Sequence, residues 1–245
     1  MNFRILVFLF FFGTQPAWAQ QRATPDTLSH PTQAVKRNFW KGSIAPAALI
    51  GMGLYTIRDN GFYSSHDASY DARKAFPAFS SSADDFVFFI PVVGLYAFDY
   101  FSSQNRNEVG RQTMLLLSSA AVMGAIVYPL KLSTNVLRPN AKNDHSFPSG
   151  HTASAFVVAG VINQEFKDKS PWISIGAYTV AGSTGVMRIL NNAHWMSDVL
   201  AGAGIGLLSV HSVYFVHERF LKNRKITLLP ITPFGGQGLT LMTSF

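Results

Sequence analysis

The chain of 245 residues contains no cysteine, and that single absence removes disulfides, thiolate zinc sites and cysteine nucleophiles. Charge is scarce too. Asp, Glu, Lys and Arg make up 13% of the residues, about half the usual share. No internal repeat, low-complexity tract or second-domain boundary interrupts the chain, whose length suits one sizeable domain. The net charge of +7 would fit a nucleic-acid binder, but the basic residues scatter between apolar runs and form no stripe. That pattern speaks against nucleic acid and for anionic lipid or phosphate. No metal-ligand cluster stands out: Asp84-Asp85 has no partner in sequence and reads as a solvated loop or helix start, so no metal and no cofactor are expected.

Aromatics are plentiful, at 13% with 21 Phe, which points toward lipid. Met1 to Arg4 is a short basic start, Ile5 to Phe12 an apolar core too short to span a bilayer, and Ala17-Trp18-Ala19 a small-x-small cleavage pattern. Residues 1–19 therefore read as a signal peptide and 20–41 as a polar lead-in with Pro25 and Pro31. Uncharged runs follow at 42–57, 86–98, 112–130, 152–164, 170–187 and 199–217. The third, fifth and sixth approach the roughly 20 residues that a membrane helix requires. Gly176, Ala177, Ala181, Gly182, Ala201, Gly202, Ala203, Gly204 and Gly206 crowd the last two and suit close helix packing in a membrane. The expected fold is all-α, a bundle of five or six transmembrane helices over residues 42–225. A short β-hairpin is expected in the tail, 226–245, where β-prone stretches flank Gly235-Gly236.

Three polar clusters lie between the apolar runs. In the first, Lys131 and Arg138 stand seven apart where a helix leaves the apolar zone, with Pro139 expected to stop it. The second is Phe147-Pro148-Ser149-Gly150-His151-Thr152, leading into an apolar helix. A helix start exposes backbone N–H groups and a positive dipole end, so Ser149 and Gly150 can cradle an anion, and His151 adds a titratable proton. In the third, Arg188 precedes His194 and Asp198, an i, i+4 pair expected to share one helical face. Asn191-Asn192 supplies a turn able to bring Arg188 back toward that face.

In order and spacing the three clusters resemble the type 2 phosphatidic acid phosphatase (PAP2) superfamily, which includes bacterial acid phosphatases and vanadium haloperoxidases. Lys131 and Arg138-Pro139, Pro148 to His151, and Arg188, His194 and Asp198 match its pattern across residues 112–217. Met187 departs, standing where the family usually has Ser, and weakened support of the phosphate site is the expected effect. The resemblance implies hydrolysis of a phosphomonoester or pyrophosphate. It implies His194 as nucleophile, Asp198 orienting it, and His151 as general acid and then base. Lys131, Arg138, Arg188 and the N–H groups of Ser149 and Gly150 would hold the phosphate oxygens, with no metal needed.

A lipid phosphate in a bacterial cell envelope is the expected substrate, and a soluble periplasmic acid phosphatase with the same site is the alternative. Vanadate-dependent halide oxidation would use the same residues, but the chain is small for that branch. His145 lies beside the site outside the motif; His211 and His217 read as packing residues, and Trp172 and Trp195 as membrane-interface anchors. If the runs all cross, twelve Lys and Arg fall on one side and seven on the side of the motifs, which puts the site in the periplasm. A cleaved signal agrees with that placement only if the number of crossings is odd. The expectation is therefore that run 42–57, short and holding Pro46, does not fully cross.

Overall fold

The computed structural model describes residues 38–57, 59–87, 89–102, 106–221, 225–231 and 238–244. The proposed signal peptide and the lead-in up to residue 37 lie outside the described residues.

The first helix, α1 (Phe39–Tyr55), starts two residues before the expected end of the lead-in, because Asn38 caps it by accepting the Trp40 N–H through Oδ1 at 3.0 Å. Between α1 and the next apolar run the chain is not all loop. Ser64 and Asp67 form a reciprocal capping box that starts α2 (Ser65–Ala75), and the short α3 (Asp84–Val87) opens on the two acidic residues expected at a loop or helix start. Then come α4 (Phe89–Ser102), α5 (Val109–Thr134), α6 (Gly150–Phe166), α7 (Pro171–Leu190) and α8 (Met196–Val216), which runs on into a π-turn (His217–Leu221). β1 (Lys225–Ile231) and β2 (Gly238–Ser244) pair antiparallel, from Lys225 with Ser244 to Ile231 with Gly238.

The bundle is organised around α8, which lies against α1, α5, α6 and α7. Its small residues allow backbone-to-backbone approach. A Cβ at Gly202 would lie 2.5 Å from the Ser149 carbonyl oxygen, one at Gly206 would overlap the Ala153 carbonyl, and one at Gly204 would lie 2.6 Å from the Pro46 carbonyl. Leu95, Leu115, Val157, Val161, Ala181, Val210 and Tyr214 form the fully buried centre.

The expectation that run 42–57 does not fully cross concerns α1, whose course follows α8. Gly53 packs on Ser197 and Ala201 near the start of α8, and Phe39 stacks on His211 near its other end, where the imidazole Nε2 meets the Phe39 carbonyl at 2.9 Å. The two helices therefore run antiparallel along nearly the same length, and Pro46 sits inside α1 without ending it. Phe39 and the start of α8 lie at opposite ends of the bundle.

Among the described residues, two helical stretches could cross a membrane by length and composition, Val109–Thr134 and Met196–Phe220. The first is mostly uncovered, and Leu117, Val122, Ile126 and Tyr128 project outward from it. At the end near Phe39, Glu165 is buried and accepts from Tyr214 Oη at 2.6 Å and from Asn107 Nδ2 at 2.8 Å, tying the α4–α5 connection to α6 and α8.

Candidate active site

The other end of the bundle collects all three clusters, because α5 and α7 end there while α6 and α8 begin there. Each terminus has a local cause. Asn135, left-handed at φ 47°, stops α5 four residues before Pro139, so the proline is not the terminator and Arg138 stands on a loop beyond the helix. That loop closes on itself: the Arg138 N–H donates to the Asn143 carbonyl at 3.0 Å and the Ala141 N–H to the Arg138 carbonyl at 2.9 Å.

α7 ends in a Schellman motif. Asn192 is left-handed (φ 56°), its N–H bonds the Ile189 carbonyl at 2.8 Å, and the Ala193 N–H bonds the Arg188 carbonyl at 3.0 Å. The His194 N–H reaches the same carbonyl at 3.2 Å. Folding back over the last turn of α7 is what brings His194 beside Arg188, as the Asn191-Asn192 pair suggests. Asn191 also grips the backbone of Ser81, accepting from its N–H at 2.9 Å and donating to its carbonyl at 2.8 Å.

His194 and Asp198 do meet, with Nδ1 3.3 Å from Oδ2, but not on a shared helical face. Trp195 precedes the first residue of α8, so His194 lies outside the helix and Asp198 in its first turn. The carboxylate folds back, and its Oδ2 also accepts the Trp195 N–H at 2.9 Å. Both side chains are buried, at 2% and 0% exposure. Burial is the main cause that pushes the His194 imidazole down to about 4; Asp198 opposes it, while Lys131 and Arg138 reinforce it. The ring is therefore neutral at ordinary pH. With a carboxylate facing Nδ1, that nitrogen carries the proton and Nε2 keeps its lone pair.

Around this pair stand the cations. Arg188 is buried at 8% exposure. Burial first and the charge of Arg188 second push the Arg138 guanidinium below its usual range, while Asp198 opposes them, and Arg138 Nε is buried without a hydrogen-bond partner. Lys131 projects from the last turn of α5 toward Gly150, where an added Cβ would lie 3.7 Å from its Cε. Its ammonium donates to the His145 carbonyl at 3.0 Å, and His145, exposed, turns Nδ1 back to the Lys131 carbonyl at 3.2 Å. Positive charges packed this closely, with a buried donor left over, suit an anion with several acceptor oxygens.

The second cluster opens α6, whose first residue is Gly150 and whose second, His151, is half-buried. One expectation needs correcting. The Ser149 N–H is taken by the Asp198 main-chain carbonyl at 3.0 Å, and the Ser149 hydroxyl pairs with Thr152 Oγ1 at 3.0 Å. Ser149 joins the start of α6 to that of α8, and the anion-facing donors of this helix start begin at Gly150. Trp195, expected as an interface anchor, also makes contacts within the protein. Its indole N–H donates to the Leu137 carbonyl at 2.7 Å and its ring stacks on His66 at 4.8 Å, so it ties loops together.

Two residues escaped the sequence reading. Ser146 donates its hydroxyl to Asp198 Oδ2 at 2.5 Å, and Ser65 Oγ accepts the Ser197 N–H at 2.9 Å, capping α8 from α2. Ser146 stands two residues before the Pro148 motif, and that proximity was the available signal; nothing in the spacing marks Ser65.

Residues 112–222 match the family model of the PAP2 superfamily. Over that segment the chain is similar to the PAP2 superfamily. Over 147 residues, 60% of its length, the chain is 35% identical to a lipid A 1-phosphatase of Porphyromonas gingivalis, covering 33% of that protein. It is 32% identical over 90 residues, 34% of its length, to the bacitracin transport permease protein BcrC of Bacillus licheniformis, covering 42% of it. The chain thus spans a third of the length of the first relative and under half of the second. The crystal structure of a transmembrane PAP2-type phosphatidylglycerolphosphate phosphatase from Bacillus subtilis superposes with a TM-score of 0.53 at 18% identity, over 74% of this chain and 99% of that one. The fold is thus similar to that helical bundle, with the three clusters at one end.

Proposed function

We propose that this protein is a metal-independent phosphatase acting on the phosphate of a membrane lipid through a phosphohistidine. The carrying observation is the buried, neutral His194 held by Asp198 where Lys131, Arg138, Arg188 and the start of α6 converge. His194 Nε2 attacks phosphorus in line with the departing oxygen. The P–O bond breaks as the P–N bond forms, and His151 gives its proton to the leaving alkoxide or phosphate. Asp198 balances the charge that develops on the ring. His151, now neutral, takes a proton from water as the water oxygen attacks phosphorus; the P–N bond breaks, and inorganic phosphate leaves a neutral His194. Gly150 N–H and the three cations hold the non-bridging oxygens, the main source of rate in phosphoryl transfer.

Phosphatidate, phosphatidylglycerol phosphate, undecaprenyl pyrophosphate and the phosphates of lipid A all suit such a site. The similarity to a lipid A 1-phosphatase favours the last class. The uncovered apolar face of α5 speaks against a soluble acid phosphatase. Phosphate release from these lipids by detergent-purified protein, with chelator present, is the test. Release from one lipid class, abolished in His194→Ala, is the expected result; equal release by the variant would remove His194 from its role.

We further propose that the protein lies in the inner membrane with the site facing the periplasm. Twelve of the Lys and Arg residues fall in the lead-in, in 103–111, in 165–171 and in the tail, against seven on the side of the site. The excess marks the cytoplasmic side. α1 reaches the far end of α8, so Lys41 then lies with that excess. A leader cleaved in the periplasm would place the lead-in opposite to this, so the orientation goes with a leader that is retained.

A further inference from the structure

We infer that Ser146 is a positioning residue that locks the Asp198 carboxylate and, through it, the imidazole of His194. The inference rests on the reading of His194 as nucleophile. Ser146 is wholly buried, and its hydroxyl meets Asp198 Oδ2 at 2.5 Å while lying 3.5 Å from His194 Nδ1. The same Oδ2 accepts the Trp195 N–H and faces His194 Nδ1. Three donors thus converge on one carboxylate oxygen, and Ser146 supplies a side-chain hydroxyl within reach of both members of the pair.

What makes this serine more than a local partner is how its own backbone is held. Its N–H donates to the Val136 carbonyl at 2.9 Å, in the loop that carries Arg138, and its carbonyl lies 3.5 Å from Lys131 Nζ. Two residues on, Pro148 begins the segment that opens α6. One residue therefore touches the first cluster through its main chain and the third through its side chain, and is covalently close to the second.

A carboxylate turns easily about its terminal torsion, which has broad preferences. Without the hydroxyl, Oδ2 retains the Trp195 N–H but loses the contact that opposes rotation away from the imidazole. Nδ1 would then no longer be bound to carry the proton, and the population with Nε2 free for attack would fall. The loss belongs to kcat, since Ser146 faces the pair rather than the anion.

The test compares Ser146→Ala and Ser146→Thr with wild type and His194→Ala, in detergent, on the lipid that wild type hydrolyses. For Ser146→Ala, kcat is expected to fall about ten- to a hundredfold, the range for a hydrogen bond to a charged group. KM should stay within about twofold, and Ser146→Thr, which keeps the hydroxyl, should recover most of the rate. Nitrogen NMR of labelled histidine, with the His194 signals assigned by their loss in His194→Gln, should show one tautomer in wild type and a mixture in Ser146→Ala. Wild-type kcat in Ser146→Ala, a change in KM alone, or an unchanged tautomer would overturn the inference. If the alanine variant does not fold, Ser146→Cys, a weaker donor of similar size, should lie between alanine's expected loss and wild type; full activity there would overturn it as well. An inactive wild type defeats the functional reading instead, whereas active wild type, dead His194→Ala and fully active Ser146→Ala defeat this inference alone.

Discussion

At the scale of single residues, the site is a problem of charge held under cover. His194 is neutral because it is buried, and its position pushed down to about 4 has a consequence for stability. Between about pH 6.5 and 4 the unfolded chain binds a proton at this residue and the folded chain does not. The contribution is complete above that window and lost as pH falls through it, by about 3 kcal/mol in total from the conversion of a pKa difference. His194→Gln should therefore flatten the fall in thermal stability between pH 6.5 and 4, measured by melting in detergent. Arg138, whose Nε is buried without a partner, should matter for turnover more than for folding. Arg138→Ala is expected to lower kcat about 10²- to 10³-fold, the cost of removing one preorganised donor to developing charge, with an unchanged melting temperature. Steady-state kinetics beside calorimetry checks both halves.

These charged residues were readable from the sequence because order and spacing carry them: Lys131 to Arg138 and Arg188 to His194 to Asp198 are local intervals. Ser146 and Ser65 were not, since their hydrogen bonds span 52 and 132 residues and no interval encodes them. Local geometry misled at two points. A helical i, i+4 pairing was expected for His194 and Asp198, where a turn followed by a helix start makes the contact. The Ser149 N–H was expected on the anion, where the Asp198 carbonyl holds it.

At the scale of elements, the glycines of α8 set where α6 begins. Gly202→Ala would press a methyl onto the Ser149 carbonyl and cost about 1–3 kcal/mol as overpacking. It should lower kcat as well, because Ser149 and Asp198 are bonded to each other across that contact. Gly182, on α7, is the control: nothing lies within 4 Å of an added Cβ, so Gly182→Ala should be neutral or stabilising by about 0.5–1 kcal/mol through helix propensity. Melting curves and phosphate release for the two variants separate the outcomes. The apolar runs foretold α5 to α8 closely. They missed α2, because it is a polar helix held by a capping box and by contacts of Ser65 and His66 with the start of α8, not by an apolar face of its own.

At the scale of the whole molecule, the proposed sidedness turns on whether α1 crosses. With Phe39 at one end of α8 and the site at the other, the two ends of α1 face opposite compartments wherever α8 crosses. Reporter fusions at residue 145 and in the α4–α5 connection should read periplasmic and cytoplasmic respectively; the reverse pattern would move the site to the cytoplasm. The sequence could not reveal this, since Pro46 inside a short run looked like an interruption, whereas it packs through its carbonyl against Gly204.

The seating of α8 among α1, α5, α6 and α7 bears on which molecules can be turned over. Acyl chains have no lateral doorway between α6 and α8, because their backbones touch at Gly202 and Gly206. On the proposed reading, a lipid phosphate reaches His194 end-on or past another helix pair, not through this seam.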